Sequence, residues 1–450
     1  MSNLLNIGAS GAHAYQTALT AIGENVANAT TPGYTRRSVT LAQAGGSATT
    51  SLYYNNNAGF AGVAVTNVTR AWNDYQAASS RTAMSSAGRA DSRLTWLTNA
   101  QTAMDDGTSG VGQSAASVFN AADTLAGDPS NTSNRKAFLS ALDQTASAFR
   151  TTAAGLKSTS QGIATAAQTT VQSVNADLDS LAKVNAALLA TRSGTSGQAD
   201  LLDQRDRLLD NLSGNIGIDV SVSADGSATV RLAQGGLQLV GGTGAGSDSG
   251  RLTLGVANDG RLSVQAVING TSQAVGDAGG ALGGMAESAS IVADRRNALD
   301  SLANDFASSI NSFQAAGTDA NGAAGAALLG GTGAAGLTLA TTDPTKVAAA
   351  SSAGANGNLL TISSLRGTNG VEARWNAMVT DQGQLVSSAT SEDSAASARK
   401  DAAVSARDQT SGVDLDTEAA DLIRYQQAYS GAAKVIQVAK DTLQSIIDLF

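Results

Sequence analysis

Apolar residues recur at alternating spacings of three and four at both ends of the chain. Near the N-terminus the stripe runs Leu5, Gly8, Ala12, Tyr15, Leu19, Ile22, Val26 and Ala29. Near the C-terminus it runs Leu415, Ala419, Leu422, Tyr429, Ala433, Ile436, Leu443, Ile447 and Phe450, with Gln426 and Lys440 at the two remaining seam positions. Such a repeat draws one narrow stripe down a helix, and a stripe that narrow is buried only against another helix. Each end therefore needs a partner: the other end, or a copy of itself.

Between the ends the period changes several times. Asn25-Val26-Ala27-Asn28-Ala29-Thr30-Thr31-Pro32-Gly33-Tyr34 collects Asn, Thr, Pro and Gly into a helix stop and turn. Residues 35–66 read as an extended connector with room for a hairpin. Helical spacing returns from about Val68 to Asp105, with Trp72, Tyr75, Trp96 and Leu97 as expected buried anchors. A second helical stretch, from about Asn134 to Arg192, carries Phe138, Leu142, Phe149, Leu156, Ile163, Val174, Leu178, Leu181 and Leu188. Residues 200–212 form a compact amphipathic helix, with Asp203 and Arg207 placed for an i, i+4 pair worth ~0.3 kcal/mol.

Alternation with period two then takes over at Ile216, Ile218, Val220 and Val222. Asp225-Gly226, Asp259-Gly260 and Asn269-Gly270 punctuate further alternating runs, the signal of antiparallel hairpins. Helical spacing resumes at Met285, Val292, Leu299, Ala303, Phe306, Ile310 and Phe313. A Gly/Ala-rich loop or weak β excursion follows over 317–358, then a long helix over about 367–408, broken at Ser411-Gly412. The fold expected is mainly α with an inserted small antiparallel β-domain. It is a long helical bundle built from N- and C-terminal arms, its terminal helices pairing as a coiled coil and both termini at one end. The expected divisions are 1–34 and 411–450 as the inner helix pair, 35–213 and 281–410 as the helical rod domain, and 214–280 as the β-domain.

Composition narrows the function. Lys and Arg number 28 against 37 Asp and Glu, a net charge of −9, which argues against nucleic acid, whose binding neutralises phosphates with cations. All seven Tyr (15, 34, 53, 54, 75, 425, 429) fall in the first 75 residues or the last 26, so the middle is built differently from the ends. No apolar run approaches the ~18 residues that span a bilayer, and the N-terminus lacks a basic flank and continuous apolar core. Membrane insertion is not expected, and export, if it occurs, uses no cleavable signal. With no Cys, disulfides, thiolate metal sites and thiol catalysis are excluded together.

Candidate chemistry is thin. His13, the single histidine, has no second His or Cys to complete a zinc site and no rigid pocket for a triad. Gly331-Thr332-Gly333-Ala334-Ala335-Gly336 matches the dinucleotide fingerprint but is followed by strand-like Leu337-Thr338-Leu339, where a helix is required. Ser397-Ala398-Arg399-Lys400 satisfies the serine-lysine pattern of penicillin-binding enzymes without its companion elements. Asp319-Ala320-Asn321-Gly322 reads as a turn, since no carboxylate follows to close a calcium shell. Asp105-Asp106 and Glu392-Asp393 read as solvated charge. Catalytic residues, cofactor and metal are all expected to be absent.

Asn25, Ala27 and Asn28, followed by Thr31, Pro32, Gly33, Tyr34, Thr35 and Arg36, resemble the N-terminal signature of the bacterial flagellar axial family, the rod, hook and hook-associated proteins. Near the other end, Ser411 to Asp416, then Glu418-Ala419-Ala420, then Leu422-Ile423-Arg424-Tyr425-Gln426-Gln427-Ala428-Tyr429 and Lys434-Val435-Ile436 are similar to its hook-associated branch, where hook and rod members carry a Gln-Arg-x-Tyr variant. Asp200-Leu201-Leu202-Asp203-Gln204-Arg205-Asp206 resembles a mid-chain signature of the same branch. Gly23-Glu24 and Arg37 depart from the usual residues, and the outer region is short. The resemblance implies a non-enzymatic adapter at the hook-filament junction. It would be exported by the flagellar type III system, held beforehand by a chaperone on the C-terminal helix, and assembled as a homo-oligomeric ring or tube between hook protein and a second junction protein. In that reading the Asn-rich turn joins inner and outer layers; by itself it is equally an ordinary loop. Gln426 either fixes helix register or is simply exposed. The alternatives are another axial subunit, such as a hook or flagellin-like protein, and an exported helical-stalk binding protein or adhesin.

Overall fold

The computed structural model describes residues 2–44, 62–105, 107–241 and 250–448. Tyr53, Tyr54, Asp106, Phe450 and the 45–61 part of the connector lie outside them. The chain opens with α1 (Ser2–Ala27) and an antiparallel hairpin of β1 (Arg37–Gln43) and β2 (Val63–Arg70). Four helices follow: α2 (Asp74–Ala103), α3 (Val111–Gly127), α4 (Thr132–Ala190) and α5 (Ser196–Asn215).

Six strands then form two antiparallel sheets. β3 (Ile218–Val222), β4 (Ala228–Leu232) and β5 (Gln238–Val240) make one; β6 (Arg251–Val256), β7 (Leu262–Ile268) and β8 (Thr271–Val275) make the other, each in sequence order. α6 (Gly280–Ala315) returns to the bundle. An irregular stretch follows with β9 (Leu329–Gly330), the one-turn α7 (Gly333–Gly336) and β10 (Thr338–Leu339). The long helices α8 (Val371–Ser411) and α9 (Leu415–Ile447) complete the chain.

α4 is the spine. Its 59 residues start where the Asn131 side chain accepts from the N–H groups of Ser133 and Asn134 at 2.9 and 3.2 Å, satisfying donors a helix start leaves open. Its apolar row, from Phe138 through Leu142, Phe149, Leu156, Ile163, Val174, Leu178 and Leu181, is fully buried. At ~1.5–3 kcal/mol for each large side chain, this row and its partners on α3, α5 and α6 dominate the stability of the body. The inner faces of both sheets, Val230, Leu232, Leu239, Leu252 and Val264 among them, join that same core, as does the fully buried Trp375 of α8.

Several sequence readings need correction. Val68 lies in β2, and α2 begins only at Asp74 because Asn73 caps it, accepting from Tyr75 and Gln76 N–H. Tyr75 is 82% exposed on that first turn, and Trp72 is only half-buried, its ring lying against the guanidinium groups of Arg70 and Arg81 at 4.8 and 5.9 Å. α3 is an element the sequence reading passes over, although Val111, Ala115, Val118, Phe119, Ala122 and Leu125 draw a buried helical stripe. The Asx-Gly turns do close hairpins, with Asn269 and Gly270 both at positive φ as a type I′ turn requires. The glycine fingerprint at 331–336 sits between two short strands around the one-turn α7. Asp319 folds its carboxylate onto its own turn, accepting from Asn321 and Ala323 N–H.

Candidate functional site: the terminal helix pair and its joint

α1 and α9 lie antiparallel. Gly8 sits level with Ile436 and Ala432, Tyr15 with Tyr425 at a ring-centroid distance of 6.3 Å, and Asn25 with Glu418. A Cβ on Gly8 would come within 2.7 Å of Ile436 Cγ1 and 3.2 Å of its backbone nitrogen, so the helices approach closely because that side chain is missing. Both chain ends thus leave the body together at one end of the molecule.

Within the chain the seam keeps some predicted positions and shifts by one residue at others on both helices. Gly8, Tyr15 and Ile22 lie on it, but Gly11, Ala18 and Asn25 take the places expected for Ala12, Leu19 and Val26. On α9, Leu422 and Ile436 are half-buried there, while Glu418, Tyr425, Ala432 and Ala439 replace Ala419, Gln426, Ala433 and Lys440. The physical reason is size. The helices close on the row of Gly and Ala that permits approach, and the bulkier residues beside it turn outward. The two polar interruptions vanish with this shift, since Gln426 and Lys440 are exposed, as are Gln427 and His13. Leu5 and Leu19 are half-buried; Val26, Leu415, Tyr429, Leu443 and Ile447 are exposed.

The motif residues assemble the joint. Asn25, fully buried, accepts at Oδ1 from Arg37 N–H at 2.9 Å and from the Tyr34 hydroxyl at 2.9 Å. Its Nδ2 donates to the Arg37 carbonyl at 2.8 Å and to Glu418 Oε2 at 3.0 Å. Arg36 Nε donates to Glu418 Oε1 at 2.6 Å, and Arg36 N–H to the Ser411 carbonyl at 2.8 Å. Asn28 caps the end of α1, its Nδ2 donating to the Glu24 carbonyl, and accepts from the Thr31 hydroxyl. Gly33, at φ +74, lies against the Arg207 side chain, where a Cβ would meet Cγ at 2.6 Å; Ala27 and Pro32 are exposed. Tyr34 lies under the Arg37 guanidinium at 4.9 Å. Burial pushes its phenol up to about 12, helped by Glu24, Asp203 and Asp200 and opposed by Arg37.

Below the joint, the mid-chain motif on α5 forms an acidic stripe with Asp200, Asp203, Asp206 and Asp210 at helical spacing. Arg37 donates to Asp200 and Asp203, Arg70 bridges Asp203 and Asp206, Arg81 bridges Asp206 and Asp210, and Arg407 reaches Asp210. Asp203 therefore faces Arg37, Arg70 and the Thr35 hydroxyl in place of the expected Arg207. Burial would raise the Asp206 carboxyl, but Arg205, Arg70 and Arg81 outweigh it and hold the group below the usual range. Burial also opposes charge on Arg37, yet its bonds to Asp200 and Asp203 leave its pKa raised. One helix face thus ties together the hairpin, α2 and α8.

Comparison with known proteins decides what this arrangement is. A sequence profile of the flagellar hook-associated protein FlgK helical domain matches residues 97–329, more than half of the chain. The chain belongs to the FlgK family of flagellar hook-associated proteins. Two further profiles match its ends: flagella basal body rod protein over residues 5–35 and the C-terminal region of flagellar basal body rod FlgEFG proteins over 405–449. Flagellar hook-associated protein 1 of Salmonella typhimurium is 26% identical over 334 residues, covering 72% of this chain and 58% of that protein. The Escherichia coli K12 protein of the same name is 27% identical over 338 residues, covering 72% and 59%. The chain thus spans somewhat over half the length of these relatives. The flagellar hook junction protein FlgK from Burkholderia pseudomallei shares the fold, with a TM-score of 0.66 at 16% identity, over 75% of this chain and all of that one. FlgK membership places the chain among the hook-associated proteins of the flagellum.

Sequence reasoning named the motif residues, Glu418 among them, and noted Arg37 as a departure, but missed that these meet each other and that Arg70, Arg81 and Arg407 join them. The signal was present. Four Asp at three- and four-residue spacings put one sign of charge on one helix face, and a buried acidic face demands cations from its neighbours.

Proposed function

We propose that the chain is a non-enzymatic adapter that joins hook to filament, assembling through its paired terminal helices into a homo-oligomeric ring or tube. The observation that carries this reading is the apolar surface α9 leaves open. Ile423, Val435 and Val438 are exposed off the seam, and Leu443, Ile446 and Ile447 continue it past Ala439, the last buried residue. The pair shields few large side chains, with Ile22 the one fully buried on α1. Ordering the 26 residues of α1 and 33 of α9 costs ~1 kcal/mol or more of backbone entropy for each residue, and isolated helices are marginal even with their own hydrogen bonds. Neighbouring copies would bury what one copy cannot.

In this reading the helix pairs line the inner layer of the tube, the helical body stands outside them, and the two sheets lie farther out. The hook protein and a second junction protein flank the ring. Subunits leave the cell through the flagellar type III route, and an export chaperone covers the α9 surface until then. Loose arms that order on assembly also keep subunits from polymerising early.

The test is a strain lacking the gene, complemented with the full chain or with residues 411–450 removed. Hooks without filaments, flagellin in the medium and rescue by the full chain alone are expected. Normal filaments in the deletion strain would refute the adapter role.

A further inference from the structure

Helix-borne carboxamides hold the β elements of this protein in one repeated way. Asn185 of α4 donates to the Ala228 carbonyl and accepts from Ala228 N–H, at 2.8 and 2.9 Å, gripping β4. Asn175, ten residues earlier, grips Leu252 of β6 in the same manner at 2.9 and 2.8 Å. Asn311 of α6 takes the carbonyl and N–H of Leu329 in β9, at 2.8 and 3.0 Å. Asn25 of α1 takes those of Arg37 in β1. In each case the side-chain amide stands in for a neighbouring strand, so a helix can dock a sheet end without leaving buried backbone groups unpaired.

The Asn25 grip differs in one respect. Its second amide hydrogen goes to a carboxylate from the far end of the chain, Glu418, which is 1% exposed and also holds Arg36, the residue before β1. An unpaired carboxylate or amide at that depth is costly, so the two arms satisfy one another. We propose that Asn25 and Glu418 form a coupling clamp: α9 docking on α1 completes the grip on β1 and adds to the hold that α5 has on Arg37 and Arg70, so the hairpin β1–β2 is more firmly ordered when the C-terminal helix is docked. α9 packs on α1, and among the described residues no hydrogen bond joins α9 to either strand, so the clamp with Arg36 is its polar route to the hairpin. Coupling of this kind is reciprocal. The inference does not depend on what the assembled ring joins.

The experiment is hydrogen exchange by mass spectrometry on the purified full-length chain, the variants Glu418→Ala and Asn25→Asp, and a chain lacking residues 415–450. Asn175→Asp and Asn185→Asp serve as controls for static grips. Protection at 37–43 and 63–70 should rise and fall with protection of 415–440 in the unaltered protein. Where it is present, Glu418→Ala, Asn25→Asp and the truncation should each speed hairpin exchange by about ten-fold or more. Asn185→Asp should loosen 218–240 alone and Asn175→Asp 251–275 alone. A hairpin that stays protected while 415–440 exchanges freely, after Glu418→Ala, or without residues 415–450, would overturn the coupling.

Discussion

At the scale of single residues, the joint is built so that each buried charge meets a partner. Asp206 is the sharpest case, lying among Arg70, Arg81 and Arg205 with little access to water. Removing one member of a buried ion network leaves the others uncompensated, typically at 3–5 kcal/mol. Asp206→Ala should therefore lower the unfolding free energy by about 3–5 kcal/mol in urea denaturation, an effect unlike the few tenths expected of surface carboxylates. The pH dependence follows in sign. Because its folded-state pKa lies below the ordinary 3.8, Asp206 contributes stability that is complete above that value and is lost as pH falls through the lower folded value. Stability attributable to this network should be flat from neutral pH down to about 4.5 and decline below about 4, and Asp206→Asn should flatten that decline. Tyr34 shifts oppositely. Held near 12 by burial, its phenol favours the folded joint below pH 10 and loses that contribution between 10 and 12. Subtracting the ultraviolet titration of Tyr34→Phe from that of the unaltered protein should isolate one phenolate appearing only near pH 12; ionisation near 10 would show the joint open.

Elements differ in how plainly the sequence announces them. α4 was legible because large apolar residues fall on one face over many turns, and its buried row matches residue for residue. The three Asx-Gly turns were legible because their chemistry is local. The terminal seam was legible as a seam but off by one residue at several positions, since apolar spacing alone cannot reveal that Gly11, Ala14 and Ala18 invite the closer approach. Tyr75 misled for a related reason: an aromatic beside a helix start need not face the core when an Asn cap fixes the first turn. α3 went unread because its stripe is mostly Ala and Val. These contrasts carry an energetic prediction. Ile163→Ala should cost about 2–5 kcal/mol of global stability through the cavity it leaves in the spine. Ile423→Ser and Val438→Ser on α9 should stay within about 0.5 kcal/mol in the isolated subunit, measured by the same denaturation.

For the whole molecule, two kinds of construction meet at one joint. A body with a continuous core of Leu, Ile, Val and Phe carries a pair of helices that bury few large side chains and leave Ile423, Val438 and Ile447 exposed. The flagellar resemblance was legible in three short motifs. What those motifs do was not, because Asn25, Arg36 and Arg37 at one end and Glu418 at the other lie far apart in sequence and meet only in the fold. In the proposed assembly the open apolar surface of α9 is the interface between copies. This is tested most directly by counting filaments per cell, by electron microscopy, in a strain lacking the gene and complemented with the chain carrying Ile423→Ser, Val438→Ser and Ile447→Ser together. Hooks without filaments, with the variant secreted at normal levels and its body folded, is the predicted result. Filaments as numerous as with the unaltered chain would contradict the claim.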